Sequence, residues 1–141
     1  MGLNRYRLSQ HIAFYLSHEG ELNPELLLLH AHQAGKQCYL PVLHPQKIGT
    51  LIFLPYAPCD DLVANRFGIL EPNIKNLDHH LPFWQLDLVF MPLVAFDQDR
   101  NRLGMGKGYY DRTFESLKQN SSQKPFLVGL AYHMQEVQQL I

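Results

Sequence analysis

The residues most suggestive of chemistry lie in one short stretch, residues 101–112, which reads NRLGMGKGYYDR. Its centre alternates glycine with other residues, includes a lysine, and is followed by two tyrosines and an aspartate (Gly104, Gly106, Lys107, Gly108, Tyr109, Tyr110, Asp111). Glycine is conformationally costly unless the backbone needs a positive φ or close approach by another group. Phosphate groups make such an approach, so the stretch predicts a loop that holds the phosphates of a nucleotide.

The charges around this loop favour the same prediction. A helix is expected to start near Tyr109, and its first N–H groups carry partial positive charge, to which Lys107 adds a full charge. Arg100 and Arg102 approach from the preceding turn, and Asp111 is suited to a magnesium ion that bridges phosphates. The spacing matches neither the dinucleotide fingerprint nor a Walker loop. The alternative is therefore a tight glycine turn in which the aspartate only favours the helix N-terminus.

The first third of the chain predicts a strand–helix–strand unit. Residues 11–17 (HIAFYLS) are apolar and aromatic, as in a strand. The run NPELLLLHAHQAG predicts a helix with Asn23 as N-cap, Pro24 at the first helical position and Gly35 at its end. KQCYLPVL predicts the next strand. Such a unit has the length of a right-handed parallel crossover.

The remaining elements complete an alternating pattern. Residues 51–54 and 86–91 predict buried strands, residues 60–65 a short helical turn, and FGILEP an extended loop. PFLVGLAY predicts a last buried strand. The alternation predicts one α/β domain over residues 1–141, with three layers (αβα) and a mostly parallel open sheet. In such sheets ligands bind beyond the carboxyl ends of the strands.

Composition limits the class of partner. The 141 residues carry 12 basic and 13 acidic side chains, so no strong field favours nucleic acid or an anionic membrane. Neither a signal-peptide pattern nor an apolar run of membrane-spanning length is present, and the cytoplasm is the expected compartment. Cys38 is expected in a buried strand and Cys59 in a loop. The eight histidines show no zinc-ligand spacing, so no histidine metal site is expected.

Several other residues have two possible roles. Glu71 is expected either to bind substrate or to cap a turn, and Trp84 to lie in the core or an interface, with ligand stacking as the alternative. The four leucines of residues 26–29 are broader than one helix stripe, which predicts burial on two sides. Asp97 and Asp99 are expected to shape the turn that leads into the glycine loop.

The stretch DLVFMPLVAFDQDRNRLGMGKGYYDR resembles the signature of the 5-formyltetrahydrofolate cyclo-ligase family, also called methenyltetrahydrofolate synthetase. AFYLSHEGELNPELLLLHAHQAGKQCYLPVL and FGILEP resemble earlier blocks of that family in the right order, so the likeness covers residues 12–132. The resemblance implies an enzyme that uses ATP and magnesium to convert 5-formyltetrahydrofolate to 5,10-methenyltetrahydrofolate, with release of ADP and phosphate. It also implies small-molecule partners only, acting on a monomer or a homodimer.

The resemblance also implies site residues, position by position. The residues expected along the ATP phosphates are Arg102, Leu103, Gly104, Met105, Gly106, Lys107, Gly108, Tyr109 and Tyr110. Those expected around the folate are Leu16, Glu21, Phe67, Met105, Gly106, Lys107, Gly108 and Tyr109. Lys107 and Tyr109 are the expected catalytic residues, and Asp111 the expected magnesium ligand. The Glu21 carboxylate is suited to accept hydrogen bonds from the N–H donors of a pterin.

Two departures from the family pattern leave an alternative function open. Members of the family begin with a longer basic helical segment that contributes to ATP binding, whereas only MGLNRYRLSQ precedes the first strand here. Members also continue past GLAY into a segment with an acidic residue that serves magnesium, and this sequence ends at Ile141. The alternative is a shortened, non-catalytic relative that binds folate or nucleotide without turnover.

Overall fold

The computed structural model describes residues 2–17, 22–73, 79–92, 95–96, 102–103, 108–115 and 125–130. In chain order its elements are α1 (Gly2–Leu8), β1 (His11–Ala13), α2 (Glu25–Gln33), β2 (Gln37–Leu43), β3 (Leu51–Pro55), β4 (Leu62–Ala64), β5 (Leu70–Pro72), a 3-10 helix (Phe83–Gln85), β6 (Leu88–Pro92), β7 (Ala95–Phe96), β8 (Arg102–Leu103), α3 (Tyr109–Thr113) and β9 (Phe126–Leu130). No helix within these ranges is long and apolar enough to cross a membrane.

Among these elements, five strands form one sheet in the order β3-β2-β1-β6-β9. β1 runs parallel to both β2 and β6, and β6 runs parallel to β9. Only the edge strand β3 pairs antiparallel, with β2. The remaining strands form two antiparallel pairs, β4 with β5 and β7 with β8. The predicted parallel crossover from β1 through α2 to β2 and the mostly parallel sheet are both confirmed.

One face of the sheet is covered by α1 and α2. The helices contribute Tyr6 of α1 and Leu28 and Ala31 of α2. These side chains pack on every second residue along the strands, the residues that point to this face: Ile12, Phe14, Cys38, Leu40, Leu88 and Phe90. The Tyr6 hydroxyl also lies 2.6 Å from Nδ1 of His30, which joins the two helices. The apolar face of each helix is thereby removed from water, the main source of its stability.

The opposite face carries the 3-10 helix and α3. Phe114 directly follows α3 and packs together with Phe83 and Tyr110. These three rings cover the side chains that point to this second face of the sheet: Ala13, Tyr39, Phe53, Leu86, Val89 and Met91. The Phe114 ring lies 5.9 Å from the Phe53 ring and 5.4 Å from the Phe83 ring, between centroids. Helical elements thus lie on both faces, and the predicted three-layer α/β architecture is confirmed.

The ends of α2 follow the sequence signals within one residue. Oδ1 of Asn23 accepts a hydrogen bond from the Glu25 N–H at 3.0 Å, although the helix boundary places Pro24 rather than Asn23 at the cap. Gly35 has a φ of 81° just after the helix, as expected of a terminating glycine. The leucine run is not buried on two sides, because Leu26 is 82% exposed while Leu28 is 4% exposed.

Two other local predictions differ from the structure. Residues 60–65 do not form a helical turn; Leu62–Ala64 is a strand that pairs with Leu70–Pro72. The first strand is shorter than residues 11–17, since β1 ends at Ala13. Both differences arise from tertiary pairing, which local composition does not specify. Trp84 is 59% exposed, which excludes the core and leaves an interface or ligand stacking as its expected role.

Candidate functional site

The candidate residues that the structure describes lie at the sheet edge where the parallel strands end. β1, β2, β6 and β9 run in the same direction, so their carboxyl ends share one edge. β3 runs the opposite way, and its first residue, Leu51, pairs with Leu43, the last residue of β2. The connection from β2 to β3, which contains Gly49, therefore lies at the same edge. This is the edge at which open α/β sheets bind ligands.

The glycine stretch follows β6 in the chain, and β6 ends at the same edge. Phe96 of β7 pairs antiparallel with Arg102 of β8, so the chain reverses direction between them. The next four candidates lie outside the described residues: Gly104, Met105, Gly106 and Lys107. Gly108 has a φ of 69°, in the left-handed region that favours glycine, and α3 begins at Tyr109 as the sequence predicts.

The helix that follows the glycine stretch is only five residues long. A helix of one turn sums few peptide dipoles, so its N-terminus contributes little positive potential. The predicted phosphate site therefore depends on the backbone N–H groups of the glycine stretch and on Lys107, and much less on the helix than the sequence suggests.

Tyr109 is in contact with three side chains from two segments. Nη2 of Arg66 donates a hydrogen bond to the Tyr109 hydroxyl at 3.2 Å. The Phe67 ring meets the Tyr109 ring edge-on, with 6.3 Å between centroids. The guanidinium carbon of Arg112 lies 5.2 Å from the Tyr109 centroid, within cation–π range. Phe67, expected at the folate, is therefore in direct contact with Tyr109, expected at the nucleotide.

The hydrogen bond from Arg66 determines how the Tyr109 hydroxyl is used. A guanidinium only donates, so the hydroxyl oxygen accepts in this bond. A phenol has a single O–H proton, and that proton is directed away from Arg66. Tyr109 can therefore donate a hydrogen bond to an oxygen or ring nitrogen of a bound ligand.

The hairpin of β4 and β5 holds Phe67 in place through two polar side chains. Oδ1 of Asn65 accepts hydrogen bonds from the N–H groups of Phe67 at 2.8 Å and Ile69 at 3.1 Å, an arrangement that closes the turn. Oε2 of the buried Glu71 accepts from the Leu43 N–H at 2.8 Å and from Nδ2 of Asn65 at 3.0 Å. Of the two roles considered for Glu71, these contacts support the structural one.

α3 is attached to the sheet by side chains that follow Tyr109. Oγ1 of Thr113 accepts a hydrogen bond from the Leu51 N–H at 2.9 Å and donates one to the Tyr109 carbonyl at 2.7 Å. Nε of Arg112 donates to the Gly49 carbonyl at 2.6 Å. Tyr109 is thus connected to the first residue of β3 and to the β2–β3 connection.

Leu16 follows β1 at the same edge. Leu16 is half-buried against the cluster on the α1–α2 face, whereas Tyr110 packs against the cluster on the opposite face. The Tyr15 hydroxyl donates a hydrogen bond to the Leu22 carbonyl, which joins the chain on either side of residues 18–21. Glu21 itself lies outside the described residues.

Asp111 fits the requirements of a magnesium ligand. It is an exposed carboxylate in the first turn of α3, two residues after Tyr109. Magnesium is usually held by one or two carboxylates together with phosphates and water, not by a complete protein cage. The described residues contain no group of three or more His, Cys, Asp or Glu side chains placed to share an ion.

Cys38 is buried, as expected, and burial raises the pKa of its thiol to about 11. A thiol with that pKa is almost entirely protonated at neutral pH and is a poor nucleophile. Cys59 is exposed, and both cysteines are free thiols. Neither residue therefore belongs to the candidate site.

Several residues that shape this site had no predicted role: Gly49, Asn65, Arg66 and Arg112. Asn65 carried a detectable signal, because asparagine two positions before an aromatic–glycine pair is typical of a side-chain-closed turn. Gly49 and the two arginines carried none, since their contacts join segments that are far apart in the sequence.

Comparison with known proteins agrees with this architecture. A family model described as the 5-formyltetrahydrofolate cyclo-ligase family matches residues 1–140. The chain is 45% identical over 140 residues to a 5-formyltetrahydrofolate cyclo-ligase of Haemophilus influenzae, covering 99% of this chain and 73% of the relative. It is 45% identical over 129 residues to one of Escherichia coli K12, covering 92% and 69%.

Two solved structures share the fold. The NMR structure of Aquifex aeolicus 5,10-methenyltetrahydrofolate synthetase superposes with a TM-score of 0.72 at 29% identity, covering 94% of this chain and 62% of that one. A 5,10-methenyltetrahydrofolate synthetase from Mycoplasma pneumoniae gives 0.65 at 24% identity, covering 95% and 66%, which bears on the fold alone. The chain thus spans less than two thirds of the length of the Aquifex protein. On its sequence and its fold, the chain belongs to the 5-formyltetrahydrofolate cyclo-ligase family.

Proposed function

We propose that this chain binds ATP, magnesium and 5-formyltetrahydrofolate at the carboxyl edge of its sheet and catalyses cyclisation to 5,10-methenyltetrahydrofolate, releasing ADP and phosphate. The observation that carries the proposal is the contact between Phe67 and Tyr109. It joins the segment expected to bind folate to the segment expected to bind nucleotide, as a reaction between the two ligands requires.

The folate is proposed to lie between the segment after β1 and the β4–β5 hairpin. Phe67 is 39% exposed, so its ring has surface available for a pterin or aminobenzoyl ring. Glu21 would accept hydrogen bonds from the pterin N–H groups, and Leu16 would contribute apolar contact. Tyr109 would donate a hydrogen bond from its hydroxyl to a polar atom of the folate, because the hydroxyl oxygen already accepts a hydrogen bond from Arg66.

The ATP phosphates are proposed to lie along residues 102–110. Backbone N–H groups of a glycine stretch can approach phosphate oxygens closely, and Lys107 would neutralise charge on the transferring group. Asp111 would hold the magnesium ion. When bound, magnesium neutralises phosphate charge during phosphoryl transfer.

The reaction asks the protein mainly for positioning. The formyl oxygen of the substrate attacks the γ-phosphorus of ATP, and ADP leaves. N10 of the folate then attacks the activated formyl carbon, the N10 proton is lost, and the C–O bond breaks to release phosphate. Both steps depend on holding the two ligands in line, with the developing charge neutralised by Lys107 and the loop N–H groups.

The test is the near-ultraviolet absorbance of the methenyl product. The chain is mixed with 5-formyltetrahydrofolate, magnesium and ATP, and matched reactions omit ATP or magnesium. The proposal predicts a rise in absorbance that requires both. Calorimetric titration of ATP and of folate accompanies the assay, because it separates binding from turnover.

The same experiment distinguishes the alternative function. Binding of either ligand without a rise in absorbance would favour a protein that binds folate or nucleotide without turnover. Binding of neither ligand would contradict the proposed site. A rise that persists without ATP would contradict the proposed chemistry, because the formyl oxygen would then leave without being phosphorylated.

We also propose a reducing compartment, the cytoplasm, and a monomer or homodimer that acts only on small molecules. The support for the compartment is that Cys38 and Cys59 are both free thiols. Size-exclusion chromatography with light scattering would determine the oligomeric state, and fractionation of the producing cells the compartment.

A further inference from the structure

The side chain of Arg112 lies against two glycines from distant parts of the chain. Its Nε donates a hydrogen bond to the Gly49 carbonyl at 2.6 Å, across 63 positions of sequence. Gly108 lies four residues before it, in the turn where the Arg112 N–H donates to the Gly108 carbonyl at 3.0 Å. Both glycines have positive φ, 90° at Gly49 and 69° at Gly108.

Each glycine also leaves the space that the guanidinium occupies. A Cβ at Gly49 would lie 2.7 Å from Nε of Arg112, and a Cβ at Gly108 would lie 2.9 Å from its Nη1. Both distances are shorter than real Cβ atoms show, so a side chain at either position would displace the guanidinium. The positive-φ glycines Gly35 and Gly68 differ, because a Cβ there would meet nothing within 4 Å.

The same guanidinium lies over the Tyr109 ring, with its carbon 5.2 Å from the centroid. Tyr109 in turn contacts Phe67 and Arg66 of the β4–β5 hairpin. A continuous set of contacts therefore runs from Gly49 in the β2–β3 connection through Arg112 and Tyr109 to the hairpin. Displacing Arg112 removes the link between Gly49 and Tyr109.

We propose that Arg112 is a positioning residue that holds Tyr109 in place by attachment to Gly49, and that glycine at positions 49 and 108 leaves the space that this side chain occupies. The consequence for catalysis rests on the proposed function, since Tyr109 is the residue through which Arg112 acts. Lysine cannot substitute, because it lacks both the Nε donor and the planar group that stacks on the ring.

The structural part of the proposal is tested by a double-mutant cycle that needs no activity. The variants are Gly49→Ala, Arg112→Ala and the combination, with the backbone amide resonance of Tyr109 as the readout in NMR spectra. Gly49→Ala is expected to shift this resonance in the parent chain and much less in the Arg112→Ala background. An equal shift in both backgrounds, or no shift in the parent, would overturn the proposal.

Gly35→Ala is the matched control for backbone strain. Gly35 has a φ of 81°, similar to that of Gly49, but a Cβ there is free of contacts. Its effect on the unfolding equilibrium constant is expected to be the same with and without Arg112, whereas that of Gly49→Ala is expected to be smaller without it. If the effect of Gly49→Ala on the unfolding equilibrium constant is also the same with and without Arg112, that effect comes from the strained φ alone. This result would overturn the role of Arg112.

The functional part uses Arg112→Lys, which keeps the charge. We expect kcat/KM for 5-formyltetrahydrofolate to fall by about tenfold, the scale of a lost supporting contact, while Gly35→Ala leaves it unchanged. An unchanged kcat/KM would overturn the positioning role. If the parent chain shows no turnover, the proposed function fails. The role of Arg112 is then tested by folate affinity, measured by calorimetry, in place of kcat/KM. Failure of the proposed function is thereby distinguished from failure of the positioning role.

Discussion

Three side chains surround Tyr109, and each contacts a different part of it. Arg66 donates to the hydroxyl, Phe67 meets the ring at its edge, and Arg112 covers the ring. A tyrosine whose hydroxyl and ring are both in contact with neighbours has few alternative rotamers. This suits a residue that must present its one O–H proton to a ligand. The two arginines also add positive potential to the edge at which phosphates are expected.

Lys107→Ala is expected to weaken ATP binding by about 1.5–3 kcal/mol, the scale of a hydrogen bond to a charged group. The reason is that the lysine ammonium is proposed to contact the phosphates directly, and no other lysine lies within residues 101–112. Calorimetric titration with ATP gives the change in affinity. Lys47→Ala removes one charge from the β2–β3 connection at the same edge and serves as the control. Equal losses in both variants would show that only the general field matters.

Asp111→Asn is expected to lower magnesium-dependent turnover by about tenfold or more, because a bound metal ion contributes several kcal/mol to phosphoryl transfer. Asparagine keeps the size of the side chain and removes its charge. Folate affinity is expected to stay within about twofold of the parent value, since the proposed folate contacts lie elsewhere. Turnover is measured as a function of magnesium concentration. A parallel loss of folate affinity and turnover would contradict the metal assignment.

At the scale of elements, the β4–β5 hairpin depends on one buried carboxylate. Glu71 bridges the Leu43 N–H at the end of β2 and the Asn65 side chain that closes the turn before Phe67. The hairpin has no other sheet neighbour among the described strands, and isolated two-stranded hairpins are marginally stable in water. Its position at the edge therefore depends on this bridge together with the contacts that Arg66 and Phe67 make with Tyr109.

Glu71→Ala is expected to lower the free energy of unfolding by about 1–3 kcal/mol, because it leaves the Leu43 N–H without its acceptor. Glu71→Gln retains a carbonyl oxygen that can accept both hydrogen bonds, so its effect is expected to be smaller. Denaturant titration measures both, with Glu25→Ala, an exposed glutamate in the first turn of α2, as control. A large loss of folate affinity in Glu71→Gln at unchanged stability would instead show that Glu71 binds substrate.

The sequence was sufficient to predict elements that consist of one continuous apolar run. It was insufficient to predict elements that form only by pairing with a distant part of the chain. β2, β3, β6 and β9 were all predicted, because each is a short apolar run, and β2, β6 and β9 contribute side chains to the clusters on both faces of the sheet. Residues 62–64 were predicted as a helical turn because their strand exists through pairing with residues 70–72. Phe67 and Tyr109 were found through a family resemblance, whereas the attachment of Arg112 to Gly49 is a contact in space that no local pattern encodes.

At the scale of the whole molecule, the sheet separates two apolar clusters that share strands. Strand residues of alternate phase face α1 and α2 on one side and α3 and the 3-10 helix on the other. The candidate site lies at the carboxyl edge, where segments attached to both layers meet. The position of the site therefore depends on strands that both layers pack against.

The stability of the whole molecule is expected to fall as the pH rises from about 9 to about 11. Burial raises the pKa of the Cys38 thiol from 9.0 to about 11, and burial followed by the proximity of Cys38 raises the pKa of Tyr6 and of Tyr39. In this range the unfolded chain releases protons that the folded chain retains. The unfolded state then binds fewer protons than the native state, so the free energy of unfolding decreases with pH.

Denaturant midpoints between pH 8 and pH 11 measure this decrease, and two cysteine variants assign it. Cys38→Ser removes the thiol that begins to ionise in the unfolded chain near pH 9, so the decline is expected to begin nearer pH 10, where the tyrosines take over. Cys59→Ser changes an exposed thiol and is expected to alter the profile less than Cys38→Ser does. A midpoint that stays constant up to pH 11 in the parent chain would contradict the burial of Cys38, Tyr6 and Tyr39 in the two apolar clusters.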